Sequence, residues 1–432
     1  MPHDEEIQAG LFLSRPPDTS TAGGAMSETF LRHAARVGTL RIVRRDVLKI
    51  QRCLGLLLHL RSHHTSLFPK LRTLNIDLEE LYNPDEPDIG LPNLNLFLGP
   101  ETRIATVNAC HLVTQQLLVQ LPLACPQLRK LEVERLPAGY TGVLRAFAAL
   151  ESFRCTNPRP YSEWDSINLP ILGSLPSLHH LTLHLPNVDG SSLGLCIGHG
   201  ALFTALETLT LSSIEAEYGL LDFLRLIGSP RLRELYLSVN DGVGTRAMHE
   251  VLEFIPAKFP TLRILSIDSY GSFGPDTPFP PEPITALQHL EDLSLCVNGI
   301  DLTYAGALRL CEAWPGLLWL AVSCSDTRYE AAKWPLSVLE CFAHRLPALE
   351  YLNARLDTAA AIPRAASARS LDPIRLDIGK SQLCEDHVEA TATYIGNVYP
   401  NAVLELRTID SMSPEELRWQ RVKALLKLQR GD

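Results

Sequence analysis

Leu206-Glu207-Thr208-Leu209-Thr210-Leu211-Ser212 is the stretch whose reading decides the fold. Leu209 and Leu211 alternate as residues of a strand do and point one way, while Thr208, Thr210 and Ser212 point the other. One face of such a strand is made for a core and the other is left open. The same L-x-x-L-x-L spacing returns at Leu71-Leu74-Ile76, Leu128-Leu131-Val133, Leu178-Leu181-Leu183, Leu232-Leu235-Leu237, Leu262-Leu265-Ile267, Leu290-Leu293-Leu295 and Leu317-Leu320-Val322. After the strands the apolar spacing turns helical, with Leu220, Leu221, Phe223 and Leu224 in one unit and Met248, Val251, Leu252 and Ile255 in the next. Each unit therefore reads as strand, loop, helix.

With conservative replacements, the first motif position falls at Val37, Leu71, Ile104, Leu128, Leu150, Leu178, Leu206, Leu232, Leu262, Leu290, Leu317, Leu349, Leu371 and, degenerate, Asn401. The mean interval is about 28 residues, inside the leucine-rich window. One strand and one helix cannot bury their apolar faces alone, so neighbouring repeats must stack. The expected fold class is α/β: a leucine-rich-repeat solenoid, horseshoe-shaped, with a concave parallel β-sheet and outer helices. Pro69, Pro126, Pro176, Pro230, Pro260, Pro315 and Pro347 each stand two residues before a first motif position, where a ring that fixes φ and lacks an N–H stops the helix.

The expected organisation is a flexible N-terminal segment over 1–27, a solenoid over 28–412 and a capping helix over 413–432. Pro16-Pro17 and the small residues from Thr19 to Gly24 mark the first. Ser413-Pro414-Glu415-Glu416 opens the last with an N-cap serine, a first-turn proline and early acids. Leu417, Val422, Leu425, Leu426 and Leu428 are expected to cover the final repeat, with Arg418, Arg421, Lys423 and Lys427 in water. Two proline- and glycine-bearing insertions, Glu79 to Pro100 and Ser269 to Pro283, read as loops.

Composition narrows the function classes. Of 432 residues 46% are hydrophobic, enough for a sizeable core, while 39 basic against 49 acidic residues give a net charge of −10. That balance repels a phosphate backbone unless the cations gather on one face, and no such stripe is visible; no nucleic-acid partner is expected. The start Met1-Pro-His-Asp-Glu-Glu lacks the order of an export signal, and the apolar run Leu54 to Leu60 is short and broken by His59; no membrane partner is expected. Ten cysteines without a C-x-x-C pair suit reduced thiols, hence a cytoplasmic or nuclear setting.

Local motifs dissolve into the repeat. Gly242-Val-Gly244-Thr-Arg-Ala247 has the form of a dinucleotide fingerprint, but every unit here is itself strand, turn, helix. Gly379-Lys380-Ser381 lacks the glycine-rich stretch that would wrap a phosphate. His59 and His63 lie one helical turn apart without a completing ligand nearby. No G-x-S-x-G elbow or cysteine-protease signature is present. The expectation is a chain without cofactor or metal that is not an enzyme.

What remains is the concave face, read from the third, fifth and seventh motif positions. It offers Lys130, Glu132 and Glu134; Ser152, Arg154 and Thr156; His180, Thr182 and His184; Glu234, Tyr236 and Ser238; Asp292, Ser294 and Cys296; Trp319, Ala321 and Ser323; and Tyr351, Asn353 and Arg355. Arg154, His180, His184, Tyr236, Trp319, Tyr351 and Arg355 are the candidate partner-binding residues. Aromatic and arginine side chains carry most of the energy in protein interfaces, which places the expected contact on the later repeats.

Ala34-Ala-Arg-Val-Gly-Thr-Leu-Arg-Ile, Phe259-Pro-Thr-Leu-Arg-Ile-Leu-Ser-Ile and Arg418-Trp-Gln-Arg-Val together resemble the F-box and leucine-rich-repeat proteins abundant in mushroom-forming fungi, over roughly residues 28 to 430. The resemblance implies a substrate-recognition module of a Skp–cullin (SCF-type) ubiquitin ligase, presenting substrate proteins on the repeats. An F-box opens with leucine-proline and spaced aliphatic residues, which Met1 to Thr29 do not show. A Skp-type adaptor is thus expected as a partner only if an F-box is supplied outside this chain. The alternative is a stand-alone leucine-rich scaffold without a ubiquitin role. A GTPase-activating protein of the leucine-rich type would need an arginine or asparagine presented to a nucleotide, for which Arg154 or Arg355 could stand.

Overall fold

The computed structural model describes residues 6–8, 23–43, 46–64, 66–78, 93–109, 111–134, 136, 141–156, 168–184, 201–214, 219–239, 245–269, 279–297, 299–323, 333–358, 362–363, 365–378, 381–406 and 413–431. The chain divides into two compact units, Met1–Glu207 with Asp222–Ser229, and Thr208–Leu221 with Pro230–Asp432.

The first unit carries β1 (Glu6–Gln8), β2 (Thr39–Val43), β3 (Thr73–Asp77), β4 (Ile104–Asn108), β5 (Lys130–Val133), β6 (Ser152–Cys155) and β7 (His180–His184), hydrogen-bonded in that order. Its helices are α1 (Gly23–Ala34), α2 (Val47–His63), α3 (His111–Ala124), α4 (Thr141–Leu144) and α5 (Asn168–Gly173). Helix α6 (Gly219–Leu226) begins in the second unit and ends in the first. The second unit carries β8 (Thr208–Ile214), β9 (Glu234–Val239), β10 (Ile264–Ser269), β11 (Asp292–Val297) and β12 (Trp319–Ser323), then β13 (Trp334–Pro335), β14 (Tyr351–Ala354), β15 (Leu356–Asp357), β16 (Arg375–Asp377) and β17 (Val403–Glu405). Strands β8-β9-β10-β11-β12-β14-β16-β17 form its sheet, and β13 pairs separately with β15. Its helices are α7 (Thr245–Lys258), α8 (Tyr304–Ala313), α9 (Val338–Arg345), α10 (Val388–Val398) and α11 (Pro414–Arg430).

All pairings are parallel, and the register explains why the motif repeats. Leu235, Leu265, Leu293, Leu320 and Leu352 stand opposite one another, and so do Leu237, Ile267, Leu295, Val322 and Ala354. All ten are buried. Each fully buried Leu or Ile contributes about 1.5–3 kcal/mol, and a one-residue slip would turn the whole row to the open face. One backbone oxygen also serves two donors at each step from β9 to β14: the Arg263 carbonyl accepts from Glu291 at 2.8 Å and Asp292 at 3.0 Å, and the Glu291 carbonyl from Leu318 and Trp319. Parallel strands linked by helices in sequence order make this a leucine-rich-repeat α/β solenoid.

The prolines do more than end helices. In Phe259-Pro260-Thr261-Leu262 the Leu262 N–H donates to the Phe259 carbonyl at 3.2 Å, and the same bond joins Leu71 to Phe68, Leu128 to Cys125, Leu317 to Trp314 and Leu349 to Leu346. Proline is thus the second residue of a β-turn that feeds the strand, the position its fixed φ favours. The residue before it is buried in each case, so the turn is anchored in the core.

Several expectations are corrected. Ile104 and Leu371 are not first motif positions. The pairing of Leu74 with Ala105 and of Leu352 with Leu376 sets the register two residues away, at Thr102-x-x-Ala105-x-Val107 and Pro373-x-x-Leu376-x-Ile378. Thr102 hides in an apolar scan, yet it is fully buried with its hydroxyl on the Leu71 carbonyl at 3.2 Å, whereas Leu371 is 65% exposed. The first insertion is not all loop: Leu94–Phe97 is a 3-10 helix that buries Leu94, Leu96 and Phe97. Residues 79–92 and 270–278, the middles of the two insertions, lie outside the described residues. Within 1–27, expected to be flexible, Glu6–Gln8 pairs with Thr39–Arg41 and α1 starts at Gly23. Helix α1 is held where the Phe30 ring meets Phe68 edge-on at 6.1 Å.

The C-terminal helix closes as its first residues predict, with a full capping box: Ser413 Oγ accepts from the Glu416 N–H and Glu416 Oε2 from the Ser413 N–H. The covering side chains differ from the sequence reading. Trp419, Val422 and Leu426 are buried, while Leu417 and Leu428 are exposed. Trp419 wins because its indole N–H reaches the Ser381 carbonyl at 2.8 Å, and Arg418 turns in to the Leu383 carbonyl at 2.9 Å. Ser381, once the end of a phosphate-loop-like triplet, is therefore a buried structural residue; Gly379 and Lys380 lie outside the described residues, as do Gly242 and Gly244.

Candidate functional site: the open faces of the two units

In the first unit the open face is built from β2 to β7 and its charges answer one another. Arg41 pairs with Asp77 at 3.2 Å, and Asp77 also accepts from the Asn108 amide at 3.2 Å. Glu132 on β5 holds Arg154 on β6 at 3.4 Å and Lys130 at 3.8 Å. A depression of about 540 Å³ lies over these strands, lined by Arg41, Asn75, Asp77, Thr106, Glu132 and Thr156 among others. Arg154 thus serves an internal ion pair. His180 is exposed at the start of β7, beside His179 with ring centroids 6.5 Å apart, and His184 is half-buried at the strand's end. On α2, His59 and His63 are both exposed, with their rings 4.8 Å apart.

The open face of the second unit is of another kind. Strand pairing aligns third motif positions into one row, Glu234, Ile264, Asp292, Trp319, Tyr351 and Arg375. Trp319 and Tyr351 stack flat, with centroids 3.6 Å apart and planes 18° from parallel. Tyr351 is buried and its hydroxyl donates to Asp377 Oδ2 at 3.2 Å, a carboxylate that also receives the Asn353 amide at 3.2 Å. Trp319 is the half-exposed ring that this support holds flat. Arg375 lies 5.3 and 5.4 Å from the two centroids. Being equidistant from two stacked rings, its guanidinium stands at their edge rather than over an outer face, so cation–π attraction is weak and the charge pairs with Glu405 at 3.7 Å.

On the other side of Trp319 the row is acidic. Among the described residues neither Glu234 nor Asp292 has a Lys or Arg partner; Glu234 accepts from the Thr208 hydroxyl at 3.2 Å. Burial, and then the charge of Glu234, push the Asp292 carboxyl up to about 6. Tyr236, in the fifth position of β9, is raised by its own burial and by both carboxylates.

Of the residues singled out from sequence, the fold brings Trp319 and Tyr351 into contact and sets Tyr236 close enough to feel Asp292. Arg154, His180 and His184 belong to the other unit. Arg355 leaves the row: β14 ends at Ala354, and the Arg355 carbonyl accepts from Trp334 instead. Arg375 and Asp377 are absent from the open positions taken from the sequence, although counting from Leu371 also leaves them on the open face, as fifth and seventh positions; the pairing with Tyr351 and Asn353 makes them third and fifth. Among the described residues no helix is long and apolar enough to cross a membrane.

No family model matches the chain, and neither does any curated protein. Among solved structures, a leucine-rich-repeat protein from Leptospira interrogans is similar, with 12% sequence identity, a TM-score of 0.31, and 88% of this chain and 98% of that chain covered. The fold assignment rests on the strand order and register described above.

Proposed function

We propose that the chain is a protein-binding module whose contact surface is the open face of β9 to β14, centred on Trp319. The observation that carries this is the row Asp292–Trp319–Tyr351: a half-exposed indole, braced by a buried tyrosine, next to a carboxylate that has no cation partner among the described residues. An extended segment laid there finds a rigid aromatic anchor and two carboxylates suited to Lys or Arg. The family resemblance extends this to substrate recognition for a Skp–cullin ubiquitin ligase in the cytoplasm or nucleus, and the alternative is a scaffold with no ubiquitin role. Neither reading gives the chain a catalytic task.

Two experiments test it. In an array of extended synthetic peptides, half bearing Lys and Arg and half bearing Asp and Glu in the same apolar frame, the full chain should retain the basic set. Trp319→Ala should release it and Arg154→Ala should not. Equal retention of both sets, or loss with Arg154→Ala alone, overturns the placement. For the ligase reading, the chain mixed with a purified Skp-type adaptor should elute apart from it, and co-elution refutes the view that adaptor binding needs an F-box beyond these residues.

A further inference from the structure

Away from the open faces, α8 and α9 bring two thiols together. Cys311 Sγ and Cys341 Sγ lie 3.8 Å apart, both buried, on the helices of successive repeats. Seven cysteines are described and all are free; this is the pair in sulfur–sulfur contact among them. Chemistry gathers around the pair. Tyr304, the first residue of α8 and 46% exposed, has its hydroxyl near Cys341. Tyr399 has a buried hydroxyl without a hydrogen-bond partner among the described residues and lies near both thiols. Glu340, beside Cys341, accepts from Tyr394 at 2.5 Å and from the Ser367 N–H at 3.0 Å.

We propose that Cys311 and Cys341 are an oxidative modification site, in which a peroxide converts the two thiols to a disulfide joining α8 to α9. The sulfurs already touch, and closing to the roughly 2 Å of a disulfide asks for side-chain rotation within one helix pair rather than for a change of fold. Cys341 is the attacking sulfur. Burial raises both thiols, but for Cys341 the neighbouring Cys311 thiol and Tyr304 hydroxyl work against that rise. The thiolate breaks the peroxide O–O bond, forming a sulfenic acid and releasing hydroxide. Cys311 then attacks the sulfenic sulfur and expels a second hydroxide. The two thiol protons turn both hydroxides into water, so two thiols and one hydrogen peroxide give one disulfide and two waters, and the sulfurs lose two electrons. Partly exposed Tyr304 marks the side from which a small oxidant arrives. The bond closes a loop of 30 residues between adjacent repeats and so stabilises this part of the second unit.

The test uses the full reduced chain, exposed under native conditions to rising hydrogen peroxide, alkylated, and digested without reductant. The Cys311–Cys341 linked peptide should appear at a lower dose than any oxidation of the solitary buried thiols Cys53, Cys125 and Cys155. The oxidised chain should melt a few degrees higher than the reduced one. Cys341→Ala should abolish both effects; if that variant does not fold, the linked peptide from the unsubstituted chain still decides. Recovery of Cys311 and Cys341 as alkylated thiols while the solitary cysteines oxidise, or their linkage to other cysteines, overturns the proposal. It stands independently of the binding function proposed above.

Discussion

The open faces of the two units share one backbone pattern and use it in opposite ways. From β2 to β6 the exposed positions neutralise one another, as Arg41 does Asp77 and Glu132 does Arg154. From β9 to β14 they leave Glu234 and Asp292 without cations among the described residues and brace an indole beside them. A surface that satisfies itself gains little from a partner. One that keeps repelled carboxylates and a rigid ring in place is stabilised when something covers it.

The largest effect expected is structural. Tyr351→Ala removes a buried ring, the floor under Trp319 and a donor to Asp377, so urea unfolding should show a loss of about 3–5 kcal/mol in the second unit. A loss under about 1 kcal/mol would mean the aromatic row is surface decoration. Trp319→Ala should leave folding nearly intact while weakening retention of basic peptides about 30-fold, or about 2 kcal/mol, measured by titration. An unchanged affinity removes the centre of the proposed surface.

Asp292 gives a smaller effect with a defined sign. Its folded carboxyl, at about 6, lies above the unfolded value near 3.9, so between those pH values the native state holds more protons than the unfolded one. Stability then falls as pH rises through that window. Since the group is only half-buried, solvent screening leaves a cost of about 1 kcal/mol above pH 6. Asp292→Asn should therefore raise the urea midpoint at pH 7.5 and leave it unmoved at pH 3.5; destabilisation at pH 7.5 would show that the carboxylate has a cation partner. The smallest effect belongs to the first unit. Arg154→Ala removes a half-exposed ion pair and should change stability by no more than about 0.5 kcal/mol, because such pairs gain little in water. A cost above about 1.5 kcal/mol would make that face cooperative rather than merely neutralised.

Most of the architecture could be read from residue order. The leucine alternation placed the strands, and Ser413 with Glu416 placed the last helix. The reading failed where the core departs from leucine. Thr102 fills a first motif position by satisfying its hydroxyl on Leu71, and Pro373 occupies another where Ile374 is buried beside it. Each shifts the apparent register by two, which preserves alternation and so conceals the error. At Pro373 that shift leaves Arg375 and Asp377 on the open face but one place along the row, so their meeting with Tyr351 and Asn353 is not legible from the sequence.

The sequence by itself determined the repeat, the class of fold and the residue types on the open positions, because a period of two within strands and about 28 between them leaves few ways to bury the leucines. Tertiary structure decided which of those residues meet. Whether Arg154 is spent on Glu132, whether Tyr351 faces a partner or supports Trp319, and whether Cys311 finds Cys341 depend on pairing across residues 22 to 32 apart. Such distances are set by stacking, and no local spacing encodes them.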